Sequence, residues 1–273
     1  MKVIRETCIA GKTIFRSVKS VTTSKKVKGE KRNPKTKPSK EAVQKVNQRN
    51  AEKMLTLKIN HNFKPGDWHI TLTYEAEPDI DHAKKDKEKF LRNLKNYAKK
   101  NNITFKRVDV TEYENKRVHH HIVMSYIDPE VIKKYWDKGI IRFAALDQSG
   151  NYKKLAEYLI KETSKTFRKN DNPNKRRYNC SRNIETPEIK RERVHERELY
   201  RDIKPLKGYY IDEDSIRRYE HAITKAECLE YIMVSIDEEP RIQKWRKGKT
   251  CKIRNYPISN SYSEEQMEIG DLN

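Results

Sequence analysis

From Trp68 to Tyr74 the chain alternates bulky apolar residues (Trp68, Ile70, Leu72, Tyr74) with His69, Thr71 and Thr73. That period of two predicts a strand with one wetter face, placed centrally in a sheet. Phe105 to Tyr126 holds two further arms rich in Val, Ile, Tyr and Thr, parted by the polar break Glu114-Asn115-Lys116-Arg117, and reads as a β-hairpin. Gly139 to Leu146 reads as another strand. Elsewhere the apolar period lengthens to that of a helix. Ser39 is an N-cap for a stripe of Val43, Val46, Met54 and Leu57 that runs to about Ile59, and the turn Lys64-Pro65-Gly66-Asp67 follows. Asp81 to Lys99 sets Ala83, Phe90, Leu91, Leu94, Tyr97 and Ala98 inward and its lysines outward. Asp128-Pro129 starts a short helix holding Val131, Ile132, Tyr135 and Trp136. Tyr152 to Phe167 is helical, with Leu155, Leu159 and Ile160 on its core side. Residues 2 to 19 read as two extended arms around Ala10-Gly11-Lys12, and Gly208 to Ile236 as strand, helix and strand.

These elements predict an α+β fold, a central antiparallel β-sheet flanked by helices. Composition divides the chain into a basic N-terminal arm (1–38), a main domain (39–200), a small appended α/β unit (201–256) and a polar tail (257–273). Within the arm, Ser24 to Pro38 is almost wholly Lys, Pro, Gly, Asn and Ser. Hydrophobic residues make up 34% of 273, enough for one modest core with extended flanks.

Charge narrows the partners. Lys and Arg number 61 against 40 Asp and Glu, a net charge of +21, which favours a polyanion, nucleic acid before anionic membrane. Arg168 to Arg193 sets many basic residues among Tyr178, Asn179, Ser181 and Asn183, a pattern suited to single-stranded nucleic acid. No apolar run is long enough for a membrane span or signal peptide. Cys8, Cys180, Cys228 and Cys251 are scattered without a CxxC pair, which speaks for a reducing, cytoplasmic setting rather than a disulfide framework or structural zinc.

The hairpin carries the candidate chemistry. With the turn centred on Asn115-Lys116, Glu112 faces His119, and His121 shares that face because strand side chains alternate. His120 then points the other way, alongside Val118 and Ile122. One carboxylate and two imidazoles on one side of a sheet can hold a divalent cation and leave positions open for a substrate oxygen. On the helix from Tyr152, residues Tyr158, Lys161 and Glu162 stand at i, i+3 and i+4 on one face.

Three segments thus occur in order: WHITLTY, then Glu112 with His119-His120-His121, then YLIKE at 158 to 162. Together they resemble the HUH endonucleases, specifically the single-tyrosine replication initiators of rolling-circle plasmids, phages and integrative elements. The resemblance spans Trp68 to Glu162 and implies a ferredoxin-like or RRM-like sheet. It implies His119 and His121, with Glu112, as ligands of Mg²⁺ or Mn²⁺, Tyr158 as the nucleophile and Lys161 as its supporting basic residue. It implies an origin, single-stranded or hairpin, as the DNA nicked. The middle position, usually a bulky apolar residue, is His120 here. Relaxases and single-strand transposases share the chemistry, but relaxases usually place the tyrosine before the histidines. A two-histidine phosphoesterase would use His69-Ile70-Thr71 as one HxT element, and the second is missing near the hairpin. A basic nucleic-acid-binding protein with structural histidines is the non-enzymatic alternative. Gly11-Lys12-Thr13 and Gly248-Lys249-Thr250 lack the upstream Gly of a phosphate loop, so strand separation calls for a host helicase.

Overall fold

The computed structural model describes residues 2–21, 40–113, 117–167 and 176–237. The lysine-rich Ser24–Pro38, the Ser39 cap, the Asn115-Lys116 turn, the first part of the basic segment after α4, Cys251 and the tail from 257 lie outside them. The chain opens with β1 (Lys2–Ala10), β2 (Thr13–Val21), α1 (Lys40–Asn62), β3 (Trp68–Leu72) and α2 (Ile80–Lys100). It continues through β4 (Arg107–Glu112), β5 (His119–Met124), α3 (Pro129–Lys133), β6 (Ile141–Ala145) and α4 (Lys153–Phe167). Short β7 (Asn179–Cys180), β8 (Ile189–Val194), a 3-10 turn at Glu196–Leu199, β9 (Tyr209–Glu220) and β10 (Glu227–Ser235) complete it.

The strands form two antiparallel five-stranded sheets, ordered β6-β3-β5-β4-β7 and β8-β1-β2-β10-β9. Helices flank the first sheet, so the fold is α+β. On one of its faces Ile70, Leu72, Tyr74, Ile122 and Met124 pack with Phe90 and Leu94 of α2 and Ile132 of α3. On the other, Val108, Val110 and Val123 pack with Leu55 and Ile59 of α1 and Leu159 and Ile160 of α4. WHITLTY is therefore an interior strand, while β5, which carries the histidines, is the middle one.

Helix α1 is shared between the sheets. Leu55 and Ile59 join the first sheet's cluster, whereas Leu57 and Met54 join Cys8, Ala10, Phe15, Ile232 and Val234 of the second. Asn60, buried between them, donates to the Thr13 hydroxyl at 3.0 Å and accepts from the Tyr152 backbone N–H at 2.9 Å. A buried amide with its groups satisfied fixes the helix against both layers. The β1–β2 turn passes so close that a Cβ on Gly11, at φ +54°, would stand 2.0 Å from the Asn60 carbonyl oxygen.

The second sheet corrects two expectations. The two N-terminal arms are a regular antiparallel hairpin, Lys2 paired to Val21 through Ala10 to Thr13, and sit inside the sheet. The C-terminal unit, expected as strand, helix and strand, is two strands: Asp212 to Glu220 extend along β10 instead of coiling. Pairing with the apolar Leu229–Val234 overrides local helix preference. The ladder slips between Glu230 and Ile232, where the Ser215 hydroxyl accepts the Ile232 N–H at 2.7 Å. Strands from 1–38, 39–200 and 201–256 thus share one hydrogen-bonded layer.

Candidate active site

The hairpin has the register its alternation predicts. Glu112 pairs with His119, Thr111 with His120 and Val110 with His121. Because neighbours in a strand point to opposite faces, His120 enters the α2 side with Val118 and Ile122, while His119 and His121 face the α4 side with Glu112.

His121 is buried, and its Nε2 lies 4.0 Å from Glu112 Oε2 without a hydrogen-bond partner of its own. Burial drives its pKa down to about 3, with His69 and His119 adding to the shift, so the ring is neutral near pH 7. His119 is half-buried at the rim. Burial lowers its pKa; Arg142 and Arg117 act the same way, against Glu77 and Glu162. Among the described residues no three His, Cys, Asp or Glu side chains already stand at the mutual spacing of a metal site. The donor set nevertheless suits a divalent ion: an uncapped, neutral imidazole nitrogen beside a buried carboxylate.

Helix α4 brings Tyr158 to this face. Its ring meets His121 edge to face, with centroids 5.4 Å apart, and remains 39% exposed, open to a substrate. Burial, then Glu162 and Glu112, pushes its phenol up to about 12. Lys161 is exposed one turn along, and the charges acting on the phenol are carboxylates, not this lysine. Tyr152 is turned away and buried, its hydroxyl donating to the Asp147 carbonyl at 3.1 Å. Tyr178 is half-buried against the α1–α4 cluster with Lys58 over its ring, rather than offered for base stacking.

Two residues of WHITLTY border the site more closely than alternation alone indicated. Thr71, the Cα partner of His121, has its hydroxyl 3.2 Å from His121 Nδ1. The His69 ring stacks on His121 at 5.6 Å and 24°, and its Nε2 is likewise buried without a partner. The pattern put both on the wetter face; their contact with His121 follows from the β3–β5 pairing, which no local signal carries.

Residues 67–167, which run from the start of β3 to the end of α4, match a family model of replication-associated proteins, the one described by the name ORF2. The matched segment contains the whole constellation just described, and it supports a replication initiator of the Rep-like kind. No curated protein and no solved structure matches the chain. No helix among the described residues is long and apolar enough to cross a membrane.

Proposed function

We propose that this chain is an HUH-type initiator that nicks single-stranded DNA at a replication origin by tyrosine transesterification. The observation that carries the reading is Tyr158 standing edge to face against His121 beside Glu112. The Tyr158 oxygen attacks phosphorus, the P–O3′ bond breaks, the phenol proton passes to solvent and the departing 3′ oxygen is protonated. The products are a 5′-phosphotyrosine and a free 3′-OH, from which a polymerase extends. The ester link keeps the phosphodiester's energy for rejoining.

Glu112, His119 and His121 would hold Mg²⁺ or Mn²⁺, which supplies charge stabilisation at the non-bridging phosphate oxygens. Burial keeps His121 neutral and so able to donate a lone pair. The Tyr158 ring is fixed by α4 on one side and His121 on the other, which limits the phenol oxygen to a short arc over the site. Exposed Lys161 is positioned to take a flanking phosphate. Origin DNA, single-stranded or extruded as a hairpin, is the substrate, and a host helicase supplies strand separation.

The test is a labelled single-stranded origin library incubated with the full chain and Mn²⁺ or Mg²⁺. Denaturant-resistant protein–DNA adducts that require the metal support the reading. Metal-independent DNA retention without any cleaved strand overturns it in favour of a non-catalytic binding protein.

A further inference from the structure

The geometry points to Thr71 as the positioning residue for His121: its hydroxyl holds the proton of that ring on Nδ1 and leaves the Nε2 lone pair facing Glu112. This inference rests on the metal-dependent reading proposed above and adds the side chain that prepares one of its ligands.

A neutral imidazole has one N–H and one lone pair, and a hydroxyl can serve either nitrogen role. Thr71 Oγ1 is 3.2 Å from Nδ1, so the bond itself allows two tautomers. The other end of the ring separates them. If Thr71 donated to Nδ1, the ring proton would sit on Nε2, buried and 4.0 Å from a carboxylate oxygen with no bond formed. An N–H so placed beside a carboxylate would close to a charge-assisted bond of about 2.7–2.9 Å. With the proton on Nδ1, two acceptors face each other at 4.0 Å, too far for a hydrogen bond and within the span of two ligands of one ion, whose bonds are about 2.0–2.2 Å each.

The surroundings keep the ring in this pose. The Thr71–His121 Cα pairing fixes the hydroxyl opposite the imidazole, and the stacked His69 ring limits rotation from one side. A metal-binding histidine whose second nitrogen donates to a fixed acceptor has its tautomer and orientation set in advance; loss of such a partner typically costs ten- to a hundredfold in metal affinity.

Two measurements on the full chain test the assignment. Imidazole ¹⁵N NMR of the metal-free protein, with His121→Gln to assign the resonance, should show His121 protonated at Nδ1; protonation at Nε2 overturns the inference. Mn²⁺ titration by calorimetry should show at least about tenfold weaker binding for Thr71→Val and near-native binding for Thr71→Ser, with near-UV circular dichroism unchanged. Native Mn²⁺ affinity in a folded Thr71→Val also overturns it. If the unaltered protein bound no Mn²⁺, the metal reading of the proposed function would fall, while the tautomer would still decide for or against Thr71. Should Thr71→Val fail to fold, the NMR result on the unaltered protein decides.

Discussion

The Nε2 atom of His120 lies 3.0 Å from the Tyr74 hydroxyl, on the face of the sheet opposite the one where His121 meets Tyr158. On its far side, Thr111 Oγ1 is 2.9 Å from His120 Nδ1 and accepts from the buried Lys87 ammonium at 2.9 Å. An ammonium only donates, so one proton order satisfies the row: Lys87 to Thr111, Thr111 to His120 Nδ1, His120 Nε2–H to Tyr74, and Tyr74 to the Ala83 carbonyl. The middle histidine is thus a structural element of the α2 core. His120→Ala should cost about 1–3 kcal/mol in urea unfolding, because it strands buried donors, and should leave Mn²⁺ affinity intact. His119→Ala and His121→Ala should do the reverse. Loss of Mn²⁺ binding in His120→Ala with retention in His119→Ala would contradict the assignment of faces.

Tyr158 should titrate high in the metal-free protein. Burial and the charges of Glu162 and Glu112 disfavour the phenolate, which places the transition at about 12. Difference absorbance between the unaltered protein and Tyr158→Phe measures it. Glu162→Gln removes one opposing charge and should lower the value, and added Mn²⁺ should lower it further. Single-turnover nicking should therefore quicken across about pH 6 to 9 as the phenolate fraction grows. A rate independent of pH there would show that deprotonation of Tyr158 does not limit the step.

Arg142 projects onto the site face of the edge strand β6, because its neighbours Ile141 and Phe143 pack on the α2 side. It lies in one cross-strand row with Thr71 and His121 and is exposed. As a phosphate contact it should weaken single-strand binding equally for all sequences when changed. Arg142→Gln should make the slope of log affinity against log salt shallower by about 0.7, whereas Lys95→Gln on the outer side of α2 should leave it unchanged. An unaltered slope in Arg142→Gln would remove this residue from the DNA path.

Glu6 ties the second sheet to α1. Burial raises its pKa, but hydrogen bonds from Lys19 and Arg191 and the charge of Lys53 prevail and hold it at about 2. A folded-state pKa below the unfolded one contributes stability that is complete above about 4.5 and is lost as pH falls from there toward about 2. The effect is on the order of 2 kcal/mol. Urea midpoints should fall between pH 6 and pH 3 in the unaltered protein, and less steeply in Glu6→Gln.

What the sequence made legible follows from period. Strand β3 and the β4–β5 hairpin have one face in each of two cores, so a slip of one residue would exchange Ile122 for His121, and the alternation alone yields the Glu112–His119 pairing. Tyr158 could be placed on α4 by the same logic at helical period. Non-local pairings left no such mark. Leu55, Leu57 and Ile59 look like a broad apolar stripe until two sheets are present to divide them. Asp212–Glu220 reads as helix until β10 supplies a partner. Thr71 and His69 border the candidate site only through pairing and packing with a strand about 50 residues away, as the 3.2 Å Thr71–His121 contact shows.

The most direct test of the account is to locate the covalent bond to DNA. After reaction of the full chain with an origin single strand and Mn²⁺, peptide mass spectrometry should find the nucleotide on Tyr158. Tyr158→Phe, which keeps the ring against His121 and removes only the hydroxyl, should fold, bind Mn²⁺ and form no adduct. A nucleotide on Tyr152 or Tyr178, or an adduct formed by Tyr158→Phe, would contradict it.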